Sequence, residues 1–484
     1  MRRTKIVCTV GPATDSADKL RQIIAAGADV LRLNFSHGTD GEHQAVARRI
    51  RAIADDLGKP VAILQDLPGP KIRLGTFHTD DVQLSPGDRF TLTTAEVGGD
   101  QQRVSVNYPK FADEVRKGQT LLLADGAVEL EIEDVTPPEV SCRVIVGGRL
   151  SSHKGVTVPR GAISLSAFTR DDRTHLQAGL EVGVDFVALS FVRSADDIAA
   201  TRAYMAERQA DVPLMAKIEK TEALAVIDEI LSATDAIMVA RGDLGVELPT
   251  SEIPFIQKSL ITQSLQSACP VVTATQMLRS MVDSPHPTRA EATDVANAVL
   301  DGSDAVMLSE ESAIGAYPVE AVRMLSQIAE AADQHLVTLR IADILTPQEA
   351  LSPSAAMAHA ACLLAHEARA AAIICCTRNG STVRQVSRYR PAQPIIAVCP
   401  TAAVARRLML VWGVIPVVQT ASDTIDVMVH QAIRCAQEAE CVVAGDRVVV
   451  IGSAPSAPLD QTDFLRFVSV EAKSAKMGPN SCNG

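Results

Sequence analysis

Short apolar, β-branched runs recur along the first part of the chain, each followed by a longer stretch whose apolar residues fall at helical spacing. Eight can be counted: KIVCTVG from Lys5, DVLRLNF from Asp29, VAILQDL from Val61, VDFVALSF from Val184, PLMAKIE from Pro213, AIMVARGD from Ala236, PVVTATQ from Pro270 and DAVMLSEE from Asp304. Such runs, interleaved with helices, predict parallel strands covered on both faces. Gly27-Ala28-Asp29, Gly183-Val184-Asp185, Ala233-Thr234-Asp235 and Gly302-Ser303-Asp304 each stand between a helix and a strand. In the three that carry glycine it suits the left-handed backbone that ends a helix, and the aspartate then opens the strand. Eight βα units predict a closed (β/α)8 TIM barrel, whose site lies where the strands end and the βα loops begin.

Between the third and fourth runs the texture changes. Residues 71–158 show period-two alternation and turn signals (SPGDRFTLTT, KGQTLLLADGAVELEIEDV, PEVSCRVIVGGRL), which predict a small inserted β-barrel domain above the mouth, placed to act as a lid. The barrel then takes residues 1–70 and 159–340. After a polar helical connector, AAAIICC, PIIAVCP, IPVVQ and RVVVIGS alternate with helices and a last strand falls near FVSV, giving an open α/β sheet domain over residues 353–472. Residues 473–484 read as a disordered tail.

Composition narrows the class. A chain of 484 residues is long for one core, and 47% apolar with 21% charged residues describes a soluble globular protein. A formal charge of −12 argues against nucleic acid and anionic membrane as partners. After the basic start only Ile6 to Val10 precede Gly11-Pro12, too short for a secretory apolar region, and no run reaches membrane-spanning length. Ten cysteines without metal-type spacing, among them Cys375-Cys376 inside an apolar run, point to buried thiols in a reducing cytoplasm.

The chemistry gathers at the strand ends. Arg32, Asn34 and Ser36 alternate and share one face of the second strand, Asp66 ends the third, and Lys217 and Glu219 share a face of the fifth. Arg241, Gly242 and Asp243 end the sixth, Thr275 the seventh, and Ser309, Glu310 and Glu311 the eighth. Carboxylates from neighbouring strands, Glu219 and Asp243, suit Mg²⁺ or Mn²⁺, which keeps positions for water and substrate oxygens; the plainer reading is an ion pair with Lys217 or Arg241. Lys217 beside a metal is placed to stabilise a transferring phosphoryl group or an enolate, against the alternative of a snorkelling lysine. Arg32 and Arg73 carry the planar fork that clamps phosphate. Gly242-Asp243-Leu244-Gly245 offers either backbone N–H groups for a carboxylate or simply a turn.

TKIVCTVGPATDS, VLRLNFSHG, DLPGPKIRLG, HKGVTVP, AKIEK, MVARGDLGVE, TATQML and PTRAEATDVANAVLDGSDAVMLSEESA closely resemble the motifs of pyruvate kinases, in that family's order, from Thr4 to about Val418. The resemblance implies transfer of the phosphoryl group of phosphoenolpyruvate to ADP, giving pyruvate and ATP. It implies Glu219 and Asp243 as Mg²⁺ ligands, Lys217, Arg32 and Thr275 as catalytic groups, and Arg32, Lys217, Gly242, Asp243 and Thr275 around phosphoenolpyruvate. Asn34, Phe35, Ser36, His37, Arg73 and Lys154 would face the nucleotide. Thr275 and a water chain are the candidates for protonating enolpyruvate. A homotetramer is the usual assembly.

Departures from the pattern matter as much. Many members read DTKGPEIR where Asp66-Leu67-Pro68-Gly69-Pro70-Lys71-Ile72-Arg73 stands here; that glutamate belongs to K⁺-requiring forms, with the ion near the positions of Asn34, Ser36, Asp66 and Leu67. Lys71 supplies a fixed positive charge there, which predicts K⁺-independent activity. Glu310 replaces a usual glycine with no evident purpose. Thr377-Arg378-Asn379-Gly380-Ser381-Thr382 resembles the family's phosphate-binding effector loop, yet the glycine-rich loop that often follows is replaced by APSAPLDQTDF, so a phosphorylated effector and an ordinary helix cap both stand. Two rivals remain: a metal-dependent aldolase or lyase acting on a pyruvate enolate, which needs neither Arg73, Lys154 nor the lid, and a catalytically silent metabolite-binding homologue, which need not keep Lys217, Glu219, Asp243 and Thr275 together.

Overall fold

The computed structural model describes residues 2–124, 126–159, 163–336, 351–420, 424–458 and 461–471. Three strands come first, β1 (Lys5–Val10), β2 (Val30–Asn34) and β3 (Ala62–Asp66). The insertion holds β4 (Asp81–Leu84), β5 (Arg89–Thr93), β6 (Arg103–Ser105), β7 (Thr120–Leu123), β8 (Val128–Thr136), β9 (Glu139–Val146), β10 (Gly148–Ser151) and β11 (Val156–Thr157). Five more strands follow, β12 (Phe186–Leu189), β13 (Leu214–Ile218), β14 (Ala236–Ala240), β15 (Val271–Ala274) and β16 (Ala305–Leu308). The C-terminal sheet is built from β17 (Ala372–Cys376), β18 (Ile395–Cys399), β19 (Val414–Val418), β20 (Arg447–Gly452) and β21 (Phe464–Ser469).

All eight expected strands join one closed barrel in the order β1-β16-β15-β14-β13-β12-β3-β2, each pair of neighbours parallel. Alternation sorts their side chains: Val7, Val30, Leu64, Met215, Met238, Val272 and Met307 fill the barrel interior, while the other face packs under the helices. Three of those helices start with a capping box, Thr39 with Glu42, Thr169 with Asp172 and Thr288 with Glu291. Gly27, Gly183 and Gly302 end helices with φ of 124°, 75° and 110°, as their glycine spacing predicts.

The four aspartates that follow these helix ends do more than open a strand. Each lies one residue ahead of it, and its carboxylate accepts an amide of the neighbouring strand: Asp29 from Ile6 at 2.8 Å, Asp185 from Ile63 at 2.8 Å, Asp235 from Leu214 at 2.9 Å and Asp304 from Val271 at 3.1 Å. Buried amides at the barrel floor need partners, and a short carboxylate supplies them. Each aspartate also meets an arginine: Arg2 at 2.7 Å, Arg51 at 2.6 Å, Arg202 at 2.8 Å and Arg390 at 3.0 Å respectively.

The insertion folds as a six-stranded sheet, β11-β7-β8-β9-β5-β6, with a two-stranded β10-β4 ribbon, around its own core of Phe90, Leu92, Phe111, Leu121, Leu130 and Val144. Arg193, just after β12, donates to the Ile163 and Leu165 carbonyls at its return to the barrel. The C-terminal sheet runs β19-β18-β17-β20-β21, parallel except for β21. That domain closes the barrel from below: Met409 and Leu410 join the interior cluster, the Trp412 amide donates to Asp304, and the buried Lys5 ammonium donates to the Val414 carbonyl at 2.8 Å. Among the described residues no helix is long and apolar enough to cross a membrane, and nine cysteines are free thiols. The expected tail at 473–484 lies outside the described residues.

Candidate active site

A cleft of about 540 Å³ opens between the C-terminal ends of the barrel strands and the insertion, walled in part by His37, Lys71, Arg73, Lys154, Glu219, Asp243 and Glu310. A continuous chain of charge adjoins it. Arg32 donates Nε to Asp66 at 2.6 Å and Nη1 to the Thr9 hydroxyl at 2.8 Å. Lys217 stands 3.3 Å from Asp66 and 2.8 Å from Glu219, and donates to Ser190 Oγ at 2.7 Å; that hydroxyl in turn donates to the Leu67 carbonyl. Glu219 also accepts the Phe191 amide at 2.7 Å. The plainer sequence reading is therefore partly realised, since Glu219 does pair with Lys217.

Electrostatics separate these groups. Burial pushes Asp66 up, but Lys217 and Arg32 outweigh it and hold the carboxyl below the ordinary range. Lys217 feels the converse: burial disfavours its charge, yet Asp66 and Glu219 raise it well above a free lysine. Glu219 is raised by burial first and then, despite Lys217, by the negative charge of Asp243. The half-buried Asp243 carboxylate has no hydrogen-bond or ion-pair partner among the described residues. Two converging carboxylates, one lifted by the other and one unpartnered, fit a hard divalent cation. Among the described residues there is no cluster of three or more acidic, His or Cys side chains that could hold a metal.

Thr275 sits in left-handed backbone, φ 68°, followed by Gln276 at 54°, an unfavourable conformation for a β-branched residue. Arg241 holds it there, donating to the Ala274 and Thr275 carbonyls while pairing with Asp294 at 2.8 Å. The Thr275 hydroxyl donates to the Ala274 carbonyl and accepts the Gly242 amide at 2.8 Å, so these two phosphoenolpyruvate candidates hold each other. Arg241 thus positions backbone instead of pairing with a metal-site carboxylate.

On the nucleotide side the strand stops at Asn34, and Ser36 lies in the turn beyond it, its amide donating to Asn34 Oδ1 at 3.2 Å. The shared-face expectation for Ser36 is corrected: an asparagine side chain that captures the amide two residues on ends the strand. The Phe35 side chain is buried, stacked on His43 at 4.1 Å, so it braces the turn from behind and does not face the cleft. Burial lowers the His37 pKa, and Lys71, Arg73 and Arg32 lower it further, which places Lys71 within a basic patch. Arg73 donates to the His153 carbonyl at 3.1 Å, and Lys154 follows in the same wall. Glu310 pairs with Arg279 at 2.8 Å, both half-exposed, whereas Glu311 turns inward to accept the Leu278 and Ser309 amides.

Comparison with known proteins decides the family. The model for "Pyruvate kinase, barrel domain" matches residues 1–322, and that for "Pyruvate kinase, alpha/beta domain" matches residues 355–468. The chain belongs to the pyruvate kinase family. It is 47% identical to pyruvate kinase 2 of Synechocystis over 97% of this chain and 80% of that one. It is 40% identical to the Thermotoga maritima pyruvate kinase over 97% of this chain and all of the other. A crystal structure of a pyruvate kinase from Cryptosporidium parvum superposes with a TM-score of 0.91 at 34% identity, covering 97% of this chain and 96% of that one. Membership makes the chain a phosphotransferase.

Sequence reasoning missed Thr9, Ser190 and the Phe191 amide. Thr9 and Ser190 stand at or just beyond the ends of β1 and β12, where the other polar residues stood, but a lone hydroxyl carries no charge to draw notice. The Lys220–Glu247 ion pair at the cleft wall was missed as well.

Proposed function

We propose that the chain moves the phosphoryl group of phosphoenolpyruvate onto ADP, forming pyruvate and ATP, with Mg²⁺ or Mn²⁺ held by Glu219 and Asp243. The observation that carries this reading is the Lys217 ammonium, kept charged between Asp66 and Glu219 beside the unpartnered Asp243 carboxylate. Arg32 and Lys217 supply positive charge for the substrate phosphate, and Gly242, Asp243 and Thr275 frame its carboxylate end. Lys217 stabilises negative charge on the transferring group and then on the enolate left behind. The metal, when bound, neutralises phosphoryl oxygens and orients them for in-line transfer. Thr275, whose hydroxyl proton points to the Ala274 carbonyl, must rotate to serve in protonating the enol.

Asn34, Ser36, His37, Arg73 and Lys154 serve ADP, with Phe35 contributing through its backbone and ring packing. Lys71 stands in for K⁺, in a family whose members generally use both Mg²⁺ and K⁺; its charge already acts on His37 in the basic patch. Buried free thiols support a cytoplasmic setting. Phe255, 74% exposed on its helix, suits burial against another copy in a homotetramer. In the Thr377–Thr382 turn Arg378 donates to the Ala457 and Pro458 carbonyls, so a phosphorylated effector there must displace the chain's own contacts. Lys71, Arg73 and Lys154, among the cations that line the cleft, favour a nucleotide-using kinase over a lyase. A coupled assay for pyruvate from phosphoenolpyruvate and ADP tests the reading. Turnover should require both ADP and Mg²⁺ and vanish in Lys217→Met. Pyruvate formed from phosphoenolpyruvate without ADP would mean that water takes the phosphoryl group and would refute transfer to ADP; no conversion at all would leave the lyase or the silent homologue.

A further inference from the structure

Beneath the barrel floor, between the starts of β12 to β15 and the C-terminal domain, lies a second cavity of about 150 Å³. Its wall carries Arg202 from the barrel side, Arg384 and Arg407 from the C-terminal side, and the apolar Phe186 and Leu410. Elsewhere on the floor Arg2, Arg51 and Arg390 each meet a carboxylate, and Arg406 shares Asp185 with Arg51. Here the matching is incomplete. Arg202 gives Nε to the Ala233 carbonyl and Nη2 to Asp235, and Arg407 reaches Asp211, whose side chain is fully exposed. The half-buried Arg384 guanidinium meets no acceptor among the described residues. Its charge opposes the rise that burial imposes on the thiol of Cys269, the chain neighbour of Pro270 in the wall.

Three guanidiniums facing two carboxylates leave a surplus positive charge in a partly enclosed space, and a guanidinium fork matches phosphate oxygens. We propose that this cavity binds a small phosphate-bearing anion, free or esterified to a few carbons, clasped between Arg202 of the barrel and Arg384 and Arg407 of the C-terminal domain. Its volume of about 150 Å³ lies below the roughly 300–1,000 Å³ of drug-sized pockets, which excludes a nucleotide. The cavity is separate from the one at the C-terminal strand ends, lined by Thr377, Arg378 and Ser453. An anion here ties the two domains together. Because Phe186 and Leu410 also belong to the packed barrel interior, occupancy bears on the barrel itself.

Calorimetric titration of the full chain with inorganic phosphate, glycerol 3-phosphate and ribose 5-phosphate tests this and separates free from esterified phosphate. Binding in the active cleft is common to wild type and variants, so the difference between them reads this cavity. Arg384→Ala should weaken one binding event by about tenfold to hundredfold, as for lost charge-assisted hydrogen bonds, and Arg378→Ala should not. Equal binding in wild type and Arg384→Ala, or a loss in Arg378→Ala instead, overturns the proposal. Should Arg384→Ala melt early, Arg384→Lys and Arg407→Ala take its place; unchanged binding in both likewise overturns it.

Discussion

The two ends of the barrel use the same residue types to opposite purposes. At the floor Asp29, Asp185, Asp235 and Asp304 each accept a strand amide and meet an arginine, so their charge is occupied in architecture. At the mouth Arg32, Asp66, Lys217 and Glu219 also pair, but the balance fails: Glu219 is raised in part by Asp243, and Asp243 has no partner. Charge that is matched holds the cylinder shut. Charge that is left over marks where a ligand belongs.

Substitutions at the two ends should break along that line. Asp304→Ala leaves Arg390 buried with its carboxylate gone and strips the Val271 and Trp412 amides of an acceptor. It should cost about 3–5 kcal/mol in urea unfolding with kcat little changed, since the lost partner of a buried pair carries that penalty. A fall in kcat at unaltered stability would contradict the architectural role. Asp243→Asn should do the reverse, lowering kcat by about 10²–10³-fold while the melting temperature holds or rises as the repulsion on Glu219 is relieved. A destabilised but active Asp243→Asn protein would place Asp243 with the floor aspartates.

A smaller effect is expected at the rim. Lys71→Glu should cut turnover by about tenfold in tetramethylammonium buffer and recover it when K⁺ is added, as one local charge is exchanged for a bound ion. Strong K⁺ stimulation of the unaltered chain would rule out the stand-in. The least effect concerns acid. The Asp66 carboxyl is held below its ordinary range, so its contribution is complete above about pH 4 and is lost as pH falls through the lower folded-state value. Asp66→Asn should flatten that limb of the acid-unfolding curve, and an unchanged limb would assign it to other groups.

How far the sequence could be read follows the same physics. Buried parallel strands need apolar β-branched runs, so all eight were visible, as were Gly27, Gly183 and Gly302 with positive φ at helix ends. Lys217 and Glu219 were legible because charges two apart in a barrel strand have no structural reason to be there. What stayed hidden depends on contacts distant along the chain: Arg378 held by Ala457 and Pro458, or Trp412 fixed by Asp304 and Asp333. Glu310 and Glu311 look alike in sequence, yet one faces solvent beside Arg279 and the other is buried on two amides. Ser36 was misplaced because an alternating pattern cannot announce that Asn34 will end its own strand.

Met409 and Leu410 act as a stopper in the base of the cylinder. A shortened protein that ended before them would admit water into an apolar shaft whose upper end seats Lys217, and the catalytic unit would lose its footing. Anyone seeking a minimal enzyme from this chain must keep the cork with the bottle, or refill the shaft with larger side chains from below.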